Sequence, residues 1–525
     1  MTRRREGGGA AALPLLILLL AAGLRFAALG TVPLGLHGDE AITGIDARRA
    51  LRDGWLGPYL YPSALGQPSG PVYVAAAALG LCGESTAVLR GSMALFGVAS
   101  VGFTYLAGRA MFGRVVGLAA AALLVALPWH LHLSRTAFMV NAWPALQMAA
   151  LWLLFRARRV RARGAGAAGR FALFGVVAGL GLYTYNAYPL SLPVLAVPFV
   201  CDLLRPAAGL TRRRAWRDAL LAAAVIVAMA LPMAEYARTH EEYFWHQEEV
   251  GVFFTPAWRE ADWPARAALL AARGAEWGRG VLFGGRRDDG DGLAERGYPL
   301  LDPLSIALLA AGVLLAARRW REPAAATLLA GCLVLPWGAL LTIEDGLYRR
   351  TYALVPILAL LAALPLARAW RAAATRRWRP LAAALIVALL VASAARNAWR
   401  YFGPLQDSEQ MRYVFPYQAD AAARFIAALP AGARVYWYSD RWPASFETLR
   451  WHAPNADVVE RASHFGVTAP DGSPMLGIDG GHPAVVMLLG RYQSLADTWQ
   501  SGLPGGEWYT AQRGDEVLYR AYVLP

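Results

Sequence analysis

Two adjacent carboxylates, Asp39 and Glu40, sit in the stretch Gly35-Leu-His-Gly-Asp-Glu-Ala-Ile-Thr-Gly44, directly after an apolar run from Ala10 to Leu29. About 20 apolar residues suffice to cross the roughly 30 Å hydrocarbon layer of a bilayer, which leaves both acids at the far water interface. Charge needed only for solubility is easily carried in loops remote from lipid. A pair at this place therefore reads as a reactive centre, and the chemistry that suits it is group transfer at a membrane surface. Further polar residues gather where later apolar runs end: Ser134-Arg135 with Asn141, Thr184-Tyr185-Asn186 with Tyr188, and Arg349-Arg350 with Tyr352. Clustered Tyr and Asn stack against and hydrogen-bond sugar rings, although tyrosines at a helix end also serve as plain interface anchors.

The segment Tyr236–Glu249 sets His240 and His246 among glutamates, but its spacing matches no recognised metal signature. Arg286-Arg-Asp-Asp-Gly-Asp-Gly292 falls short of an EF-hand loop and reads as a polar loop. Nothing in the sequence requires a cofactor, and a divalent metal has no support in it.

These side chains belong to a chain of 525 residues, 57% hydrophobic and only 17% charged, with mean hydropathy +0.35. Soluble domains carry nearer a quarter charged residues, so the chain reads as a polytopic membrane protein. Its net charge of +14 comes from arginine alone, since no lysine is present. No basic domain of known type accompanies that charge, which argues against nucleic acid as a partner. The three cysteines lie far apart in or beside apolar segments and read as small buried hydrophobes.

Arginine also orders the topology, because cytoplasmic loops are enriched in it. Apolar segments occur at 10–29, 71–83, 91–112, 115–133, 139–156, 171–187, 189–204, 219–237, 303–317, 323–342, 351–369 and 381–399. If 71–83 crosses, the clusters Arg156–Arg163, Arg212–Arg217 and Arg371–Arg379 all fall outside. If it lies instead as an interfacial helix or hairpin, they all become cytoplasmic. The expectation is about eleven spans in a cell (inner or plasma) membrane, with a cytoplasmic N-terminus. The outer face then holds loops 30–90 and 238–302 together with residues 401–525. After the acid pair, Asp46–Asp53 with Ile42, Ile45 and Leu51 apolar suits an amphipathic interfacial helix ending at Gly54. The Pro-, Gly- and Tyr-rich stretch Pro58–Pro71 reads either as a groove lining or as a connector.

From about residue 400 the pattern changes to alternating strands (434–439, 456–460, 483–490 and 516–524) and helices (418–429, 444–452 and 491–500), which predicts a small α/β domain. No glycine-rich nucleotide fingerprint is present. The predicted organisation is a transmembrane domain over 1–400 and an extracytoplasmic α/β domain over 401–525.

The acid pair after the first span is followed in order by a Pro-rich outer segment, Leu89-Arg90-Gly-Ser-Met-Ala-Leu-Phe-Gly97 and Gly108-Arg109-Ala-Met-Phe-Gly113. Next come Leu131-His-Leu-Ser-Arg135, Gly181-Leu-Tyr-Thr-Tyr-Asn-Ala-Tyr-Pro189 and Leu347-Tyr-Arg-Arg-Thr-Tyr-Ala-Leu-Val-Pro356. Over roughly residues 10–400 this series resembles the GT-C glycosyltransferases, specifically the family 39, protein O-mannosyltransferase and aminoarabinose-transferase-like group. The resemblance implies a GT-C-like fold and an inverting sugar transfer from a polyprenyl-phosphate donor to a lipid, glycan or protein acceptor. It also implies that Asp39 is a general base, which must come within hydrogen-bond reach of the acceptor's proton. Glu40 would orient it or contact the acceptor. Arg349 and Arg350 would meet the lipid phosphate bidentately, with interfacial snorkelling as the alternative. Arg135, Asn141, Tyr185, Asn186, Tyr188 and Tyr352 complete the expected substrate contacts. Members often carry a second acid where this chain has Asn141, which concentrates the base role on Asp39. Two other readings of the chain are a flippase or transporter for lipid-linked glycans and a non-catalytic glycan-assembly subunit.

Overall fold

The computed structural model describes every residue except 1–8, 62, 64–65, 208, 285–298, 344–347, 374–377, 462–482, 500–504 and 525. The polar loop Arg286–Gly292 and the N-terminal arginines therefore lie outside the described residues. The chain forms two compact units, Met1–Gly30 with Ala47–Met411, and Thr31–Asp46 with Arg412–Pro525. This differs from a boundary at 400/401, because the acid stretch groups with the C-terminal segment.

The first unit is helical. Among its described residues, Thr86–Met111, Arg212–Thr239, Pro323–Leu340, Leu354–Ala373 and Arg379–Asp407 are long and apolar enough to cross a membrane. Ala11–Phe26, Gly70–Cys82, Arg114–Val125, Ala168–Tyr183, Tyr188–Leu204 and Pro303–Ala317 are apolar but shorter. One expected span, 115–133, is two helices, Arg114–Val125 and Pro128–Leu133. Pro128 opens the second, where its missing N–H costs nothing. The segment expected at 139–156 begins with a 3₁₀ turn at Met139–Asn141 and runs on as Ala142–Ala162.

Burial separates the middle of this unit from its rim. The apolar window of Leu354–Ala373 is 61% buried, whereas that of Arg379–Asp407, at mean hydropathy 1.9, is only 6% buried. Val387, Leu389 and Val391 are exposed there, as are Val227 and Leu231 on Arg212–Thr239. Contiguous apolar surface of this kind is unstable in water but matches acyl chains. The chain is a multi-pass membrane protein.

Two polar devices tie the helices. Arg158 pairs with buried Asp202 at 2.8 Å, and Arg161 pairs with both Asp202 and Asp218, the latter at 3.1 Å. The sequence marks these arginines only as orienting charges; their acids lie more than 40 residues away. Asp302 caps Pro303–Ala317 by accepting from Ser305 N at 3.2 Å. It also accepts from Ser393 Oγ at 2.9 Å and Asn397 Nδ2 at 3.3 Å on the lipid-exposed helix Arg379–Phe402.

The second unit holds a five-stranded mixed sheet with strand order 457–460, 434–438, 484–488, 516–524, 507–513. The first three strands are parallel, and the last two form an antiparallel hairpin closing one edge. Strand 484–488 is buried throughout, as its unbroken apolar run requires of a strand covered on both faces. Tyr417–Ala427 and Glu447–His452 pack over one face with Val435, Trp437 and Met487. Asp420 joins these two helices by accepting from Arg424 Nε and His452 Nε2, each at 2.8 Å. Burial alone would raise its pKa, but the His452 hydrogen bond and the charges of His452 and Arg424 outweigh this. They hold the carboxyl below its usual range.

Candidate active site

The acid stretch is built from the start of the helix Gly38–Asp53. His37 is its N-cap. The imidazole Nδ1 accepts from Asp39 N at 2.9 Å, and Glu40 Oε2 accepts in return from His37 N at 3.0 Å. This is the reciprocal logic of a capping box, with imidazole in place of the usual hydroxyl. Glu40 is fully buried by it. Asp39 occupies the second helical position, is half-buried, and its backbone carbonyl accepts from Thr43 Oγ1 at 2.9 Å. The helix N-terminus favours negative charge at that place. Glu40 is therefore committed to the cap, while Asp39 beside it keeps partial exposure.

The rest of the second unit fixes this start. Thr448 Oγ1 donates to Leu36 O at 2.9 Å, and the His37 ring lies edge-on to Phe415, with centroids 5.8 Å apart. A Cβ at Gly35 would stand 2.5 Å from Tyr417 N and 2.8 Å from Phe415 O, so only glycine lets the two strands of backbone approach. The α/β segment thus buttresses the acid helix directly, a role that composition alone does not reveal.

In the helical unit, four of the expected substrate contacts turn out to organise protein. Arg135 is fully buried. Its guanidinium donates to the carbonyls of Leu24, Arg25 and Ala27 at the end of the first helix and lies 4.6 Å over the Phe402 ring. It satisfies the carbonyls that a helix C-terminus leaves open. Asn141 is buried as well, and its Nδ2 donates to Leu133, Thr136 and Phe138 O at 2.8–3.0 Å, closing the turn before Ala142–Ala162. Tyr188 is buried with its ring against Gly181. Tyr352 is buried too, its hydroxyl donating to His130 O at 3.1 Å. Arg135 and Tyr352 meet partners distant in sequence, whereas Asn141 and Tyr188 meet residues within eight positions.

Tyr185 and Asn186 are placed differently. With Pro68, Met233, Tyr243 and Gln247 they line a cavity of about 210 Å³. Tyr185 stacks on Trp143 at 5.9 Å, and Asn186 Nδ2 donates to Gly66 O at 2.9 Å. That bond ties the cavity to a short hairpin, Tyr59–Leu60 with Gln67–Pro68. Gly66 turns the hairpin at φ +100°, and a Cβ there would meet the Tyr59 hydroxyl at 2.8 Å. Tyr59 packs against Tyr243 (4.8 Å) and Tyr236 (5.7 Å), and its burial, with Tyr243 close by, pushes the phenol pKa up. Pro68 of the Pro- and Tyr-rich segment thus lines this cavity. Tyr243 and Gln247 join it from the His- and Glu-rich segment, where composition suggests only metal or solvent. His240 in that segment stacks flat on Tyr236 at 4.0 Å, and no cluster of three or more metal-ligating side chains occurs among the described residues.

Arg349 and Arg350 stand on the 3₁₀ turn Tyr348–Thr351. Arg349 lies 5.0 Å over the Phe138 ring, and Arg350 is 7% exposed.

No family model and no curated protein matches the sequence. Solved structures do. ArnT from Cupriavidus metallidurans, bound to undecaprenyl phosphate, superposes with TM-score 0.57 at 15% identity over 98% of both chains. The chain has the GT-C fold. A second structure with this GT-C architecture, the archaeal oligosaccharyltransferase AglB from Archaeoglobus fulgidus in complex with an inhibitory peptide and a dolichol-phosphate, gives TM-score 0.55 at 15% identity. That match covers 98% of this chain and 74% of AglB. The Archaeoglobus fulgidus oligosaccharyltransferase tethered with an acceptor peptide containing the NVT sequon gives 0.56 with the same coverage.

Proposed function

We propose that this GT-C chain is an inverting glycosyltransferase using a polyprenyl-phosphate-linked sugar donor. The observation that carries the reading is the division of labour in the acid pair: Glu40 is consumed by the cap, while Asp39 stands partly exposed at a helix N-terminus. The lipid phosphates bound by ArnT and AglB support the donor class.

In this reaction a hydroxyl or amine of the acceptor attacks the anomeric carbon from the face opposite the phosphate. A new C–O or C–N bond forms, the anomeric C–O bond breaks, and its electron pair leaves on the lipid phosphate. The acceptor's proton passes to the Asp39 carboxylate. Arg349 and Arg350 are the proposed partners of the developing phosphate charge, and the Tyr185–Asn186 cavity the proposed sugar contact. The topology proposed with this mechanism has about eleven spans in a cell membrane, a cytoplasmic N-terminus and an extracytoplasmic C-terminal unit.

The test supplies purified chain with sugar-loaded undecaprenyl phosphate and a cell-envelope extract as acceptor source, and follows release of free undecaprenyl phosphate. Wild type should release it and Asp39→Asn should not. Absence of release by wild type, or equal release by the variant, overturns the reading. A reporter fused after residue 405 should appear on the outer side of the membrane.

A further inference from the structure

One end of the helical unit carries a second cavity, of about 520 Å³, that the proposed transfer does not use. It forms where Thr86–Met111, Pro303–Ala317 and Leu354–Ala373 end and Pro323–Val334 begins. Its walls combine two chemistries. Phe112, Leu315 and Leu364 supply apolar surface; Arg319, Arg368 and Arg371 supply three guanidinium groups, with no acid among the lining residues. Arg371 Nε donates to Ala367 O at 3.1 Å, which sets its stem on the last turn of its helix. Arg319 pairs with Glu322 at 3.0 Å, but both side chains are about half exposed, and such pairs are weak enough to exchange for a better anion.

We infer that this cavity binds the headgroup and upper acyl chain of an anionic phospholipid. Guanidinium matches phosphate oxygens bidentately, and basic pockets between membrane helices are suited to anionic headgroups. The neighbouring residues set the depth. Trp320 is exposed, with Arg205 and Arg321 at 5.3 and 5.2 Å from its ring, the amphipathic arrangement favoured at headgroup level. Apolar walls beside the guanidinium groups suit a phosphate that carries chains rather than a soluble one.

The experiment is native mass spectrometry of the purified full chain in neutral detergent. It is titrated with phosphatidylglycerol, with phosphatidylcholine of the same acyl chains, and with phosphatidylglycerol in the presence of excess inorganic phosphate. Phosphatidylglycerol should bind in preference to phosphatidylcholine and survive the inorganic phosphate. Arg368→Gln and Arg371→Gln, made singly because both side chains are exposed, should each weaken binding by about fivefold. Equal binding of the two lipids, displacement by inorganic phosphate, or unchanged affinity in both variants overturns the inference. Activity toward the sugar donor plays no part in this readout, so failure of either proposal leaves the other standing.

Discussion

Replacing the two acids one at a time separates catalysis from folding at adjacent residues. Asp39→Asn removes a carboxylate that accepts a proton in the proposed reaction. General-base catalysis is worth about 10²–10⁴-fold, so turnover should fall by that factor. Its structural cost is confined to the loss of a charge at a helix N-terminus, about 0.3–1 kcal/mol. Glu40→Gln keeps an oxygen that accepts from His37 N, so the cap survives at a cost below about 1 kcal/mol and turnover should stay within a few-fold of wild type. Glu40→Ala leaves the His37 N–H without that acceptor in a buried setting, which costs about 1–3 kcal/mol. It should fray the helix start and lower activity and stability together. The assay pairs undecaprenyl phosphate release with amide hydrogen exchange over residues 36–46. The reasoning fails if Glu40→Gln loses as much turnover as Asp39→Asn while exchange in that segment is unchanged.

Three further outcomes follow from the geometry. Gly35→Ala forces a Cβ to within 2.5 Å of Tyr417 N; it should destabilise the second unit by at least about 1–3 kcal/mol, read as earlier thermal loss of exchange protection in strand 434–438. Asp420 is held below its unfolded pKa of about 3.9, so its contribution is fully present above that pH and disappears as pH falls through the lowered folded value. The stability gap between wild type and Asp420→Asn, followed by exchange protection of strand 434–438, should thus close below about pH 4. Asn186→Ala frees the Gly66 carbonyl from its tie and removes a carboxamide from the cavity wall; it should raise KM for the sugar donor severalfold with a smaller effect on kcat, and an unchanged KM would return Asn186 to a purely structural role.

Much of this architecture is legible in the sequence because it rests on local signals. Apolar runs announce the helices, and β-rich runs bounded by turn residues announce strands 434–438, 457–460, 484–488 and 516–524 within a residue or two at most ends. The strand Glu507–Arg513 escapes because it is a mostly exposed edge, so it carries little apolar alternation. The acid pair is likewise visible, but the commitment of Glu40 to a cap is not. That depends on the helix beginning at Gly38 with an imidazole as cap, an unusual choice at that position. Arg135 next to Ser134 reads as a ligand for substrate until the carbonyls of Leu24, Arg25 and Ala27, more than 100 residues away, are seen to occupy it. Buried arginines of this kind are legible only once the fold is known, since their partners are backbone atoms with no sequence signature.

Asp302 has a consequence for how such a chain can change over time. Apolar helices gain little from one another in lipid, so directional bonds must set their register. Here one carboxylate marks the register of two helices, capping Pro303–Ala317 and receiving Ser393 and Asn397 from the outermost greasy helix. Substitution at 302 alone would leave the Ser393 hydroxyl and the buried Asn397 carboxamide without this acceptor. Drift at 393 or 397 would leave a buried carboxylate with fewer donors. Positions 302, 393 and 397 should therefore be exchanged as a set among descendants of this sequence, while the leucines and valines around them trade places freely.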